Sequence, residues 1–174
     1  ILAAVPGSVL WLLETAALAN LRKEASNRGV DPARLLAAPP LPLAQHLARL
    51  GAADLFLDTL PYNAHTSASD ALWVGLPVLT CLGDTFASRV AGSLLTAVGM
   101  PELITGSLAD YEALAIRLAG SAPELAALRA RLRAGRGMAA LFDTPAFARN
   151  LEEAFVRMWE RHAAGDVPQR IVLA

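Results

Sequence analysis

The 174-residue chain has one cysteine, Cys81, and one lysine, Lys23. A single thiol excludes an internal disulfide and any cluster of cysteines around a metal, and this sparing cysteine usage fits a cytosolic address. An excess of either charge sign is missing as well. Fifteen basic and sixteen acidic residues give a formal net charge of -1 with no long run of either sign, so the chain carries no electrostatic footprint for nucleic acid. Although the mean hydropathy is +0.41, Gly, Pro or a charged residue interrupts every apolar stretch before the roughly 18 to 20 residues that a bilayer crossing needs. No signal peptide is visible, since Ile1 to Ala4 lacks a basic n-region, and the absence of an initial Met reads as the inside of a longer sequence. The expectation is a soluble, cytoplasmic chain without nucleic-acid or membrane partners.

What is present is apolar mass: 55% of the residues are hydrophobic and only 18% charged, enough for one α/β domain with a core covered on both faces of a sheet. The pattern alternates. Ile1 to Val5 reads as a last helical turn stopped by Pro6 and Gly7, and Ser8 to Leu13 as a first buried strand. A helix over Ala16 to Arg28 ends at Gly29, Asp31-Pro32 opens a turn, and Arg34 to Ala38 is a second strand ended by Pro39 to Pro42. Leu43 to Leu50 is a short helix bearing Gln45, His46 and Arg49. The third strand is Asp54 to Thr59 and the fourth Pro77 to Cys81, with a helix over Thr66 to Trp73 between them. Asp84 or Thr85 is expected to cap a helix to about Val98, and Glu102 to Thr105 is the last strand. Ser107 and Asp110 have the capping-box spacing ahead of a helix to about Ala119. Helices over Ser121 to Arg133 and Thr144 to about Ala164 close the chain. Alternation of this kind predicts a single α/β domain over residues 1–174: a Rossmann-like, doubly wound parallel sheet.

The stretch DLFLDTLPYNAHTSASD, Asp54 to Asp70, organises the chemistry. A strand runs into turn residues and then into a helix start. Thr66 or Ser67 is placed to cap that helix, whose unpaired N–H groups and positive dipole end attract an anion. Asp70 returns to the same face one turn deeper. Hydroxyls and amides for phosphates, with a carboxylate for ribose hydroxyls, suit a nucleoside diphosphate at the carboxyl ends of parallel strands. An ordinary capped strand-to-helix junction has the same local pattern.

Longer motifs separate the two. DLFLDTLPYNAHTSASDALWVGLPVLT followed by GDTFASRVAGSLL resembles the C-terminal catalytic half of the protein O-linked N-acetylglucosamine transferases, glycosyltransferase family 41, the bacterial members in particular. SVLWLL, LADYEALAIRLA and FARNLEEAFVRMWERH extend the resemblance in the family's order. It implies the C-terminal half of a GT-B glycosyltransferase. Such an enzyme would move N-acetylglucosamine from UDP-N-acetylglucosamine to Ser or Thr hydroxyls of proteins, with inversion, no metal and no cofactor beyond the donor.

By the resemblance, His46 packs on the uracil ring and Arg49 lies near the base. His65, Thr66 and Ser67 line the diphosphate, with Ser67 replacing a threonine, and Asp70 binds the ribose. Thr66 and Ser67 would stabilise the leaving diphosphate. Leu43 stands where the family has a lysine, and Leu82 and Asp84 where it commonly has Pro and Glu. A second lysine, the acceptor-side residues, the other Rossmann-like domain and substrate-recruiting repeats would belong upstream of Ile1. No general base is assigned; Asp54 and Asp58 read as strand-end structure, and His162 as a solvated residue of the closing helix. Two other readings stay open: a module that holds UDP or a UDP-sugar without turnover, and a related GT-B transferase with another donor or acceptor.

Overall fold

The structure is a computed structural model that describes residues 1–173. Five strands occur among them: β1 (Leu10–Leu13), β2 (Leu35–Ala38), β3 (Phe56–Leu57), β4 (Val78–Cys81) and β5 (Ile104–Thr105). Seven α-helices alternate with the strands and then follow them: α1 (Leu18–Asn27), α2 (Leu43–Ala52), α3 (Thr66–Trp73), α4 (Val90–Ala97), α5 (Leu108–Ala119), α6 (Ala122–Gly135) and α7 (Thr144–Ala164). Every strand pair is parallel, as expected of strands joined by helical crossovers. Pairing occurs in two ladders, β1-β2 and β3-β4-β5, rather than along one continuous run of five.

β4 is the centre of the core because nothing in VLTC needs water: all four residues are buried. Its side chains alternate between faces. Val78 belongs to the larger cluster, with Leu72 and Ala68 of α3, Leu95 of α4, Leu118 of α5 and Leu125, Leu128 and Leu132 of α6. Leu79 and Cys81 face the other way, onto Tyr111 and Ala115 of α5. Helices therefore cover both faces of the β3-β4-β5 ladder, the doubly wound arrangement that the apolar composition called for.

Several expectations are corrected. β1 is not a buried strand: only Leu10 and Leu12 are half-buried, while Trp11 and Leu13 are exposed, because β2 is its one ladder partner among the described residues. The helix expected from Asp84 or Thr85 begins at Val90 instead. Ser88 holds the intervening residues in a tight turn. Its hydroxyl accepts from the Thr85 N–H at 3.0 Å and its carbonyl accepts from the Gly83 N–H at 3.0 Å. Such local side-chain bonds offer the backbone an alternative to the helix. Ile1 to Val5 forms one isolated turn, Val5 N–H to Ile1 carbonyl at 3.0 Å. Of the capping box the serine half is present: Ser107 Oγ accepts from the Asp110 N–H at 3.1 Å at the start of α5, while the Asp110 carboxylate accepts from the Ser107 hydroxyl at 2.6 Å.

Gly83 sits against the Ser88 turn so closely that a Cβ would lie 2.5 Å from Ser88 Oγ and 2.7 Å from its Cβ. Gly83→Ala should therefore destabilise the fold by about 1–3 kcal/mol, the cost of overpacking a tight site, read as a lower urea midpoint with unchanged slope.

Candidate functional site

β3 delivers the chain into the loop 59–64 and that loop into α3. The residue preceding α3 is His65, at φ -104° and ψ -91°, and no side chain among the described residues caps the first turn. Capping by Thr66 or Ser67 is thus not what the structure has. Both residues lie within the helix, exposed, and their amides stay available to an external acceptor, whereas Ala68 is wholly buried and the Ser69 N–H donates to the His65 carbonyl. Asp70 lies one turn further on, half-buried, and takes part in none of the ion pairs among the described residues.

The loop after β4 closes beside this helix start. The Asn63 N–H donates to the Ala87 carbonyl at 3.0 Å, tying residues 59–65 to the turn before α4. His65 stacks on Tyr62, ring centroids 4.9 Å apart at 22°, and meets the edge of Phe86 at 6.2 Å. Tyr62 and Phe86 are exposed. The sequence reading missed both; Tyr62 stands three residues before His65 in PYNAH, whereas Phe86 reaches the histidine only through the fold. The two loops follow the carboxyl ends of adjacent parallel strands, where open α/β sheets place their ligands.

α2 packs against α3 and brings the second set of expected residues to the same neighbourhood. Arg49 is committed to structure: one guanidinium nitrogen donates to the Pro39 carbonyl at 2.7 Å and another lies 3.2 Å from His46 Nδ1. Arginine cannot accept, so His46 Nδ1 is the acceptor and its proton resides on Nε2. The half-buried imidazole is thereby held in one tautomer. Thr66, Ser67, Asp70 and His65 thus share one helix start, and His46 and Arg49 share the helix packed beside it.

Beneath the site lies a buried polar layer that the sequence did not announce. Asp58 and Thr80 are buried in the β3-β4 ladder, and the Tyr111 hydroxyl of α5 donates to the Asp58 carbonyl at 2.9 Å. Burial pushes the Tyr111 hydroxyl well above the usual tyrosine range, with the charges of Asp58 and Cys81 adding to the effect. The sign follows. A raised folded-state value means full stability below about pH 10, where an unfolded tyrosine titrates, and loss as pH climbs toward the folded value. Denaturant melts between pH 8 and 12 should show stability level to about pH 10 and then a decline approaching about 1.4 kcal/mol per unit, which is shallower in Tyr111→Phe.

No group of three or more His, Cys, Asp or Glu side chains among the described residues is arranged to hold a metal ion. No helix among them is long and apolar enough to cross a membrane.

Comparison with known proteins agrees with this architecture. The family model described as Glycosyl transferase family 41 matches residues 1–151. The chain is 40% identical over 172 residues to the Arabidopsis thaliana protein named "Probable UDP-N-acetylglucosamine-peptide N-acetylglucosaminyltransferase SEC", covering 97% of this chain and 18% of that protein. A Caenorhabditis elegans UDP-N-acetylglucosamine-peptide N-acetylglucosaminyltransferase is 37% identical over 167 residues, 95% of this chain and 14% of that one. Among solved structures, an O-GlcNAc transferase mutant of Thermobaculum terrenum superposes with a TM-score of 0.85 at 34% identity, over 91% of this chain and 31% of that chain. The fold is that of a glycosyltransferase domain. The chain belongs to glycosyl transferase family 41. It spans less than a fifth of the length of these two relatives.

Proposed function

We propose that residues 1–174 form the UDP-holding C-terminal half of a GT-B enzyme that transfers N-acetylglucosamine from UDP-N-acetylglucosamine to Ser or Thr hydroxyls of proteins, with inversion and without a metal, in the cytoplasm. The observation that carries this reading is the start of α3: uncapped amides at the carboxyl end of a parallel strand, with an unpaired, half-buried carboxylate one turn behind them. Diphosphate oxygens on the Thr66 and Ser67 amides and hydroxyls would satisfy the open end of the helix. A ribose on Asp70 would give that carboxylate two donors. His46, held in one tautomer, offers a flat half-apolar face to uracil from the neighbouring helix. His65 and Arg49 complete the lining.

In such a transfer the acceptor oxygen attacks the anomeric carbon as the bond to the β-phosphate breaks, so negative charge grows on the diphosphate. Fixed N–H and O–H donors aimed there bind the departing UDP more tightly than the ground state and lower the barrier. The acceptor side, the facing domain and the upstream lysine belong to chain preceding Ile1 in this reading. Calorimetric titration of the chain with UDP tests it: saturable one-to-one binding that is much weaker for inorganic phosphate is the expected result, and no heat at millimolar UDP contradicts it.

A further inference from the structure

The loop that leads into α3 is held by a carboxylate for which that reading has no use. Asp58 is only 4% exposed and takes part in none of the ion pairs among the described residues. Its partners are neutral donors. Oδ1 accepts from the Thr59 N–H at 2.8 Å and the Ala64 N–H at 2.6 Å, and Oδ2 accepts from the Thr80 hydroxyl at 2.6 Å. Burying a charge without a counter-ion is costly, and three short charge-assisted bonds are what offset it here.

The geometry of those bonds is specific. Thr59 and Ala64 are the two ends of the loop, so one oxygen atom closes it. Inside the loop the Thr59 hydroxyl donates to the Tyr62 carbonyl at 2.9 Å, and Asn63 Nδ2 donates to the Thr59 carbonyl at 3.0 Å. Asn63 is wholly buried, and its Oδ1 has no hydrogen-bond partner among the described residues. Below, the anchor is itself anchored: the Thr105 hydroxyl donates to the Thr80 carbonyl and the Tyr111 hydroxyl to the Asp58 carbonyl, both at 2.9 Å. Asp58 is therefore held from three elements: Thr80 of β4 at its carboxylate, Thr105 of β5 through the Thr80 carbonyl, and Tyr111 of α5 at its backbone carbonyl. Ala64 is followed directly by His65 and the first turn of α3, so the Ala64 peptide sets where the open amides point. Hydrogen bonds weaken steeply once their angle is lost, and a loop free to shift by about 1 Å would spoil the aim of every donor at that end.

We propose that Asp58 is a positioning residue, with Thr80 as its support: its carboxylate staples the loop 59–64 and so fixes the first-turn donors of α3 on the diphosphate. The inference rests on the reading of α3 as the diphosphate-binding end. Asp58→Asn keeps Oδ1 for both N–H groups and presents Nδ2 to Thr80 Oγ1, whereas Asp58→Ala removes every contact.

The test combines residue-resolved amide exchange with UDP titration on the full 174-residue chain. Asp58→Ala should speed exchange at Thr59 and Ala64 by about tenfold more than in β4, and weaken UDP binding by about tenfold, as expected for lost charge-assisted bonds; Asp58→Asn should recover most of both. Uniform loosening of β4 and the loop together, an Asn variant no better than Ala, or UDP affinity within about twofold of the parent in a folded Asp58→Ala chain would each overturn the proposal. Should Asp58→Ala not fold, Thr80→Val decides. It removes one hydroxyl from a β-branched site, and local loosening with weaker UDP binding supports the staple, while no change refutes it. If the parent chain binds no UDP, the reading of α3 fails, and the exchange pattern alone still decides whether Asp58 holds the loop.

Discussion

Replacing Asp70 by alanine should weaken UDP binding by roughly 1–3 kcal/mol, about 5- to 150-fold, with little change in stability. The carboxylate is half-buried one turn inside α3 and takes part in none of the ion pairs among the described residues, so its removal costs the fold little. Asp70 lies beyond the first turn of α3, and the favourable dipole interaction is only about 0.3–1 kcal/mol even for a charge in that turn. A bound ribose would lose both hydroxyl partners at once. His46→Ala should weaken binding by a similar roughly 1–3 kcal/mol through the lost stack on the base. His162→Ala in the last turn of α7 should leave UDP affinity unchanged, since its neighbour is Trp159 at 5.7 Å and not the α3 end. Calorimetry on the three variants checks the pattern, and equal losses in all three would contradict the placement of the site.

The largest stability effect is expected at Leu72. Its side chain is 1% exposed on the buried face of α3, within the cluster that joins α3 to β4, α4 and α6. Leu72→Ala removes the branched end of the side chain where helices on several sides fix the walls, and should cost about 2–5 kcal/mol by lost transfer plus residual cavity. Leu43→Ala is the control: Leu43 is 65% exposed at the first position of α2, and the change should fall within about 0.5 kcal/mol. Urea unfolding reads both. The two leucines are equally apolar in the sequence, and only the packing separates them.

That contrast shows what the sequence carried. Periodicity placed α3, α5 and α7 to within a residue or two, and the residues at their ends act by local backbone chemistry: Ser107 caps α5, and Gly75 and Gly165 follow α3 and α7 at positive φ. They misplaced the start of α4, where the Ser88 turn competes with the helix through bonds invisible to a one-dimensional pattern. β1 read as buried because an apolar run does not say how many neighbours it will have. Of the candidate site, Thr66, Ser67, Asp70, His65, His46 and Arg49 were all named from the chain. The structure puts the first four on one helix start and the last two on the helix beside it. What was not legible was the support. Asp58 touches Thr80 across 22 positions and Tyr111 across 53, separations over which no local spacing rule operates.

The most direct test of the central claim is a backbone amide map of the chain titrated with UDP. If α3 begins at the diphosphate, the N–H resonances of Thr66 and Ser67 should move furthest and saturate together with those around His46. Saturating shifts centred on another surface, with the start of α3 unmoved, would contradict it.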